Sequence, residues 1–133
     1  MTNEIWEKVE KNLSDVFDDV KLKIDEYEIT LLTVPNGRKL EIAVYVNGSI
    51  KSENLINDTE IRRRFYNKHI GSVLTADDKI RLKNMPKAKQ KAFEEKAKYE
   101  WFEPYWQSFR SLKKHLIMNN KSIELMVSKQ YGV

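Results

Sequence analysis

Ile5, Val9, Leu13, Val16 and Val20 recur at spacings of three and four, with Trp6 and Phe17 beside them, which predicts an amphipathic helix at the start of the chain. Asn3 is the expected N-cap, and Glu4 and Glu7 suit the positive end of the helix dipole. From Val20 the period changes to two, through Val20, Leu22 and Ile24 and then Tyr27, Ile29 and Leu31. The phase slips at Asp25-Glu26. Neither residue is Gly or Asn, so a bulge in one strand is expected rather than a turn between two. Asn36-Gly37 and Asn47-Gly48 each have the chemistry of a two-residue hairpin turn. Between them Leu40, Ile42, Val44 and Val46 alternate with Glu41, Ala43 and Tyr45, and residues 49–52 follow as a short strand. The predicted block is a helix followed by a three-stranded antiparallel meander.

The remainder reads as helical. Asn57 and Asp58 are cap residues for a helix whose inward stripe is Ile61, Phe65, His69 and Ile70, with Glu60 completing a capping box and Gly71 as the stop. Thr75 caps a second, short helix with Asp77 and Asp78 in its first turn, ending near Met85 because Pro86 disfavours helix for the residue before it. Pro86 opens a third helix through "KAKQKAFEEKAKYEWF", and Pro104 breaks it and starts a fourth from Tyr105 to about Met118, ended by Asn119-Asn120. Ile123, Leu125 and Val127 alternate, as a late edge strand would. The expected fold is one α+β domain: a helix and meander over residues 1–55 and a basic helical part over residues 56–133.

Composition narrows the classes. Hydrophobic residues make up 41% and charged residues 33% of 133 residues, too apolar for disorder and enough for one ordinary core. No apolar run is long enough to span a bilayer, and "MTNEIWEKVE" is too acidic for a secretory signal. With no cysteine, disulfides, thiol catalysis and cysteine-ligated zinc are excluded, and a cytoplasmic protein is expected. Charge changes the picture more. Residues 1–60 hold 7 Lys and Arg against 13 Asp and Glu, residues 61–133 hold 17 against 7, and these balances of −6 and +10 give the net +4. The basic half can meet an external polyanion, or the acidic half of the same or another copy.

Three stretches carry candidate chemistry. "YEWFEPYWQSFRSLKKHL" packs Tyr99, Trp101, Phe102, Tyr105, Trp106 and Phe109 ahead of Arg110, Lys113 and Lys114. If Pro104 opens a helix, Tyr105, Phe109, Leu112 and Leu116 share a core face, and Tyr99, Trp101 and Tyr105 lie at a bend where some are exposed. "KNMPKAKQKAFEEKAK" places Lys87, Lys89, Lys91, Lys96 and Lys98 around a helix with a thin apolar stripe, able to track phosphates without reading sequence. A solubilising face, supported by the Glu94–Lys98 spacing, competes with that reading. Arg62, Arg63 and Arg64 are consecutive and cannot all face one ligand. The nucleic-acid-binding set is therefore Arg62, Arg63, Lys68, Lys87, Lys89, Lys91, Lys98, Arg110 and Lys114. His69 and His115 lack a usefully spaced carboxylate, no catalytic or phosphate-loop motif is present, and no catalytic residue, metal or cofactor is expected.

"PYWQSFRSLKKHLIMNNKSIEL", with "KNMPKAKQKAFEEKAKYEWF" before it, resembles the C-terminal parts of small proteins of phages and prophages of low-GC Gram-positive bacteria. Frequent Lys, Asn and Ile fit an AT-rich source. The resemblance covers roughly the last third of the chain, contains no functional motif and carries over no site. It implies a small cytoplasmic accessory protein acting in an infected cell. The expected function is non-enzymatic binding, with nucleic acid the first partner. The alternative is a protein–protein module, either a self-associating dimer joined by its acidic and basic halves or an adaptor docking on a host protein.

Overall fold

The computed structural model describes residues 1–126. It is an α+β fold, with an N-terminal helix leading into a three-stranded antiparallel meander as the periodicity predicts. The chain divides into two compact units, Met1–Asn67 with Glu103 onward, and Lys68–Phe102.

The first unit is built on α1 (Asn3–Leu13), β1 (Asp19–Ile24), β2 (Tyr27–Asn36) and β3 (Lys39–Val46). The alternation of β1–β3 buries Val20, Leu22 and Ile24 against Ile29 and Leu31, and these against Val44 and Val46. Trp6, Val9 and Leu13 of α1 are buried with them. Two short helices follow, α2 (Ser52–Ile56) and α3 (Glu60–Phe65). After the excursion of the second unit the chain returns as β6 (Tyr105–Trp106), α6 (Phe109–Asn119) and β7 (Ile123–Leu125), giving an antiparallel sheet in the order β6-β3-β2-β1-β7. The late strand is therefore present at Ile123 and Leu125, while Val127 lies outside the described residues.

Several local expectations are corrected. Thr2, not Asn3, caps α1, accepting the Ile5 N–H. The helix stops at Leu13, because the Thr33 hydroxyl takes the Leu13 carbonyl and Phe17 adopts a φ of 71° with its ring exposed. Asp25-Glu26 is a turn and not a bulge: Ile24 pairs with Tyr27, and Asp25 has a φ of 51°, a conformation Asp tolerates better than most residues. The next turn is shifted by one, since Asn36 pairs with Lys39 and Gly37-Arg38 occupy its centre. Asn47-Gly48 forms the expected turn, with φ of 52° and 84°, but residues 49–52 contribute only a bridge at Ser49 before α2 begins.

Thr59, not Asn57 or Asp58, caps α3, which ends at Phe65, so His69, Ile70 and Gly71 lie on a strand. Pro104 does not open a helix. Its carbonyl accepts the Val44 N–H at 2.8 Å, beside the edge strand β6, where a proline costs no ladder bond. Ser108 caps α6 instead, accepting the Ser111 N–H. Leu112 and Leu116 are buried as expected, and so is Trp106 on β6; Tyr105 and Phe109 are only half-buried, the Phe109 ring tilted against Trp6.

Asp25 ties distant segments together. One carboxylate oxygen accepts the Ser122 N–H at 2.9 Å, and the other accepts the Lys121 N–H at 3.1 Å and an Arg64 Nη1 proton at 2.9 Å. The Asp25 N–H also donates to the Ser122 carbonyl. The backbone donors of Lys121 and Ser122, then Arg64, hold the Asp25 carboxyl below its ordinary value. A depressed carboxylate adds stability that is present above the unfolded value near 3.8 and is lost as pH falls through the folded one. Asp25→Asn, which keeps a residue tolerant of the turn and one acceptor oxygen for Ser122 but replaces the other with a donor, should speed hydrogen exchange at Lys121 and remove this acid-dependent loss of stability. Unchanged exchange at Lys121 would show that the carboxylate does not hold the segment that leads into β7.

Candidate functional site

The second unit begins with β4 (Asn67–Ser72) and ends with β5 (Lys98–Glu103), and these two strands pair with each other. The Val73 N–H donates to the Ala97 carbonyl, Gly71 lies under Tyr99, and His69 lies against Trp101, so the pair is antiparallel. Between them run α4 (Ala76–Leu82) and α5 (Lys87–Ala97). Thr75 caps α4 as predicted, in a reciprocal box with Asp78: the Asp78 N–H reaches the Thr75 hydroxyl at 3.2 Å and the Thr75 N–H reaches the Asp78 carboxylate at 3.0 Å. These bonds hold the Asp78 carboxyl below its ordinary value. Pro86 starts α5, but the helix ends at Ala97 rather than continuing to Phe102. Tyr99, Trp101 and Phe102 are therefore strand residues, which suits aromatic side chains.

Only Leu82 and Ala97 of this unit are buried, while Ile70, Val73, Ile80, Met85, Phe93, Tyr99 and Trp101 are all exposed. Its charge is as uneven as its burial. Residues 68–102 hold nine Lys and Arg against five Asp and Glu, so the net +4 of the chain resides here and the rest is balanced at 15 of each.

The nine sequence-derived residues divide between the units. Lys68, Lys87, Lys89, Lys91 and Lys98 belong to the second, and Arg62, Arg63, Arg110 and Lys114 to the first. Lys68 is paired with Glu100 at 3.0 Å and Lys98 with Glu95 at 3.0 Å, so Glu95 and not Glu94 is the helical partner of Lys98. Arg63 is paired with Asp58 at 2.9 Å. Arg64 is committed to Asp25 and Glu60. Arg110 and Lys113 line a cleft of about 430 Å³ whose walls also carry Glu7 and Glu10, so their field is offset locally. Among the described residues, Lys87, Lys89 and Lys91 make no ion pair, and all three are exposed on α5.

The position of Lys87 and Lys89 is electrostatically adverse for the helix. Both lie in the first turn of α5, which contains no acidic residue, and the helix dipole is positive there. Sequence reasoning missed Lys79, Arg81 and Lys83, which add to the same unit; their link to α5 is visible only once β4 and β5 are known to pair.

β5 alternates so that Tyr99 and Trp101 share one face. Their rings stack at 5.4 Å between centroids with 25° between planes, and His69 of β4 stacks on Trp101 at 5.1 Å and 17°. A Cβ added at Gly71 would lie 2.6 Å from Tyr99 Cζ and 2.9 Å from Trp101 Cζ3, so the bare glycine gives the two rings their seat.

His115 lies in the first unit, with Nε2 2.9 Å from the Arg63 carbonyl and its ring 5.0 Å from Trp106. Among the described residues no group of three or more His, Asp and Glu is placed to hold a metal, and no helix is long and apolar enough to cross a membrane. Comparison with family models, with curated proteins and with solved structures finds no match to the chain.

Burial pushes the His115 imidazole below its ordinary value of 6.5, and the bond to Arg63 opposes this only in part. The fold therefore favours neutral His115. Its contribution to stability should be present above about pH 6.5 and fall as the pH is lowered, because the unfolded chain takes up the proton first. Denaturant midpoints at pH 8 and pH 5.5 should differ more for the wild type than for His115→Gln; an equal difference in both would contradict this.

Proposed function

We propose that this protein is a non-enzymatic, sequence-independent nucleic-acid-binding protein, an accessory protein of a phage or prophage, that contacts phosphates through residues 68–102. The observation that carries the reading is electrostatic. The whole net charge falls in 35 residues, and Lys87, Lys89 and Lys91 stand exposed without an ion pair among the described residues, the first two in the helix turn whose dipole disfavours them. Cations placed against a helix dipole cost about 0.3–1 kcal/mol each at the surface, so their position favours an external anion over the stability of α5. Phosphate contacts of this kind supply affinity and position but not sequence preference.

A docking module for another protein is the second reading, favoured by the exposed Ile70, Val73, Ile80 and Phe93. Self-association through acidic and basic halves has less support, because the first unit is balanced in charge and two copies of the second would repel.

Affinity for random-sequence duplex DNA, measured by anisotropy across a salt series, should fall linearly on logarithmic axes. Changing Lys87, Lys89 and Lys91 together to Glu should flatten that slope by about 2–3, at about 0.9 per phosphate contact, for all sequences alike. Arg110→Glu with Lys114→Glu should leave it unchanged. No binding at low salt, or equal loss from the two sets, would refute the reading.

A further inference from the structure

We propose that Tyr99 and Trp101 form a stacking platform for the bases of single-stranded nucleic acid. The proposal rests on the nucleic-acid reading above and specifies the form of ligand.

Three rings make a column on one face of the β4–β5 pair: His69, Trp101 and Tyr99, in that order, at the offset-stacked separations given above. Tyr99 ends the column with 48% of its surface exposed, and Trp101 in the middle is still 37% exposed. Every base has a π-face, so an unstacked base extends such a column whatever its identity. Bases in a duplex have their faces occupied by their neighbours and offer only edges and phosphates. The platform therefore discriminates by strandedness, not by sequence.

Gly71 makes the platform possible. A side chain there would displace the far end of the Tyr99 ring and the edge of the Trp101 ring, so the bare glycine keeps both rings seated. Phosphate attraction comes from the same short unit: α5 runs directly into β5, so the lysine-bearing helix and the ring-bearing strand are consecutive in the chain. Stacking platforms beside basic surfaces are the usual means of holding single strands. Mutual stacking of the three rings stabilises a two-stranded ribbon in any case, so the test must separate a ligand platform from an internal staple.

Tryptophan emission provides the readout. Trp6 and Trp106 are 3% and 5% exposed, so an emission change caused by a base added beyond Tyr99 reports Trp101, whose ring stacks on Tyr99. Oligothymidine and a random-sequence duplex of equal length are titrated into the full chain at matched salt. Oligothymidine should quench the emission and bind about tenfold tighter than the duplex, the gain expected from roughly one stacked base. Tyr99→Ala and Gly71→Ala should each remove about tenfold of single-strand affinity and leave duplex affinity and its salt slope intact. Gly71→Ala retains both rings and only displaces their mobile ends, so it reports geometry rather than loss of aromatic surface.

Equal affinity for the two forms without quenching would overturn the platform and leave the phosphate reading standing. Parallel loss of single-strand and duplex affinity in Tyr99→Ala would make the stack an internal staple and equally overturn the proposal. No binding of either form by the wild type would remove both the platform and the reading on which it rests, in favour of a protein partner for the exposed apolar side chains.

Discussion

The pairing of β4 with β5 is the constraint from which the character of this protein follows. The chain leaves the first unit at Asn67 and re-enters it at Glu103, and the strands of departure and return bond to each other. What lies between is therefore a closed excursion of 35 residues. A unit of that size cannot bury much, and without cysteines it lacks the staple that small folds often use. Leu82 and Ala97 are all the core it has. Its lysines and its aromatic rings are left outside because there is no interior to receive them.

The first unit solves the opposite problem. Its three central strands are consecutive, but both edges of the sheet are covered by segments from the far end of the chain, β6 on β3 and β7 on β1. Polar groups are used inward there. The Trp106 indole N–H donates to the Phe65 carbonyl at 3.0 Å, Glu41 accepts from Asn36 and Gln107, and Asp25 gathers Arg64 with the amides that lead into β7. Acidic residues thus find donors within the unit, and its charges balance. The functional reading rests on net charge: the first unit is balanced, and the second carries the surplus of four.

Local signals were legible where the decision was local. Asn47-Gly48, the Thr75–Asp78 box and the Leu112/Leu116 stripe needed only neighbouring residues, and the structure has them where periodicity put them. Asp25 was misjudged because the donors that favour its left-handed turn, Lys121 and Ser122, lie almost a hundred residues away. Tyr99, Trp101 and Phe102 were read as helix because aromatic residues at mixed spacing fit either period over so short a stretch, and their strand partner is fixed only by tertiary pairing. The charge asymmetry was visible, but dividing the chain at residue 60 spread it over a half that includes α6. Grouping by contact shows the surplus confined to residues 68–102. Of the nine basic residues singled out, Lys87 and Lys89 combine exposure, lack of an ionic partner among the described residues and an adverse dipole, as does Arg110 in the first turn of α6, where Glu7 and Glu10 lie across the same cleft.

The central claim is that ligand contact belongs to residues 68–102 and not to the sheet-bearing unit. Titrating uniformly nitrogen-15-labelled protein with a short oligonucleotide, and following every backbone amide together with the three indole N–H signals, tests it directly. The account predicts shifts on α5 around Lys87, Lys89 and Lys91, at Gly71 and Tyr99, and at the Trp101 indole, with the Trp6 and Trp106 indoles and the amides of α1 and α6 unmoved. Shifts centred on Arg110 and Lys114, or none at saturating oligonucleotide in low salt, would contradict it.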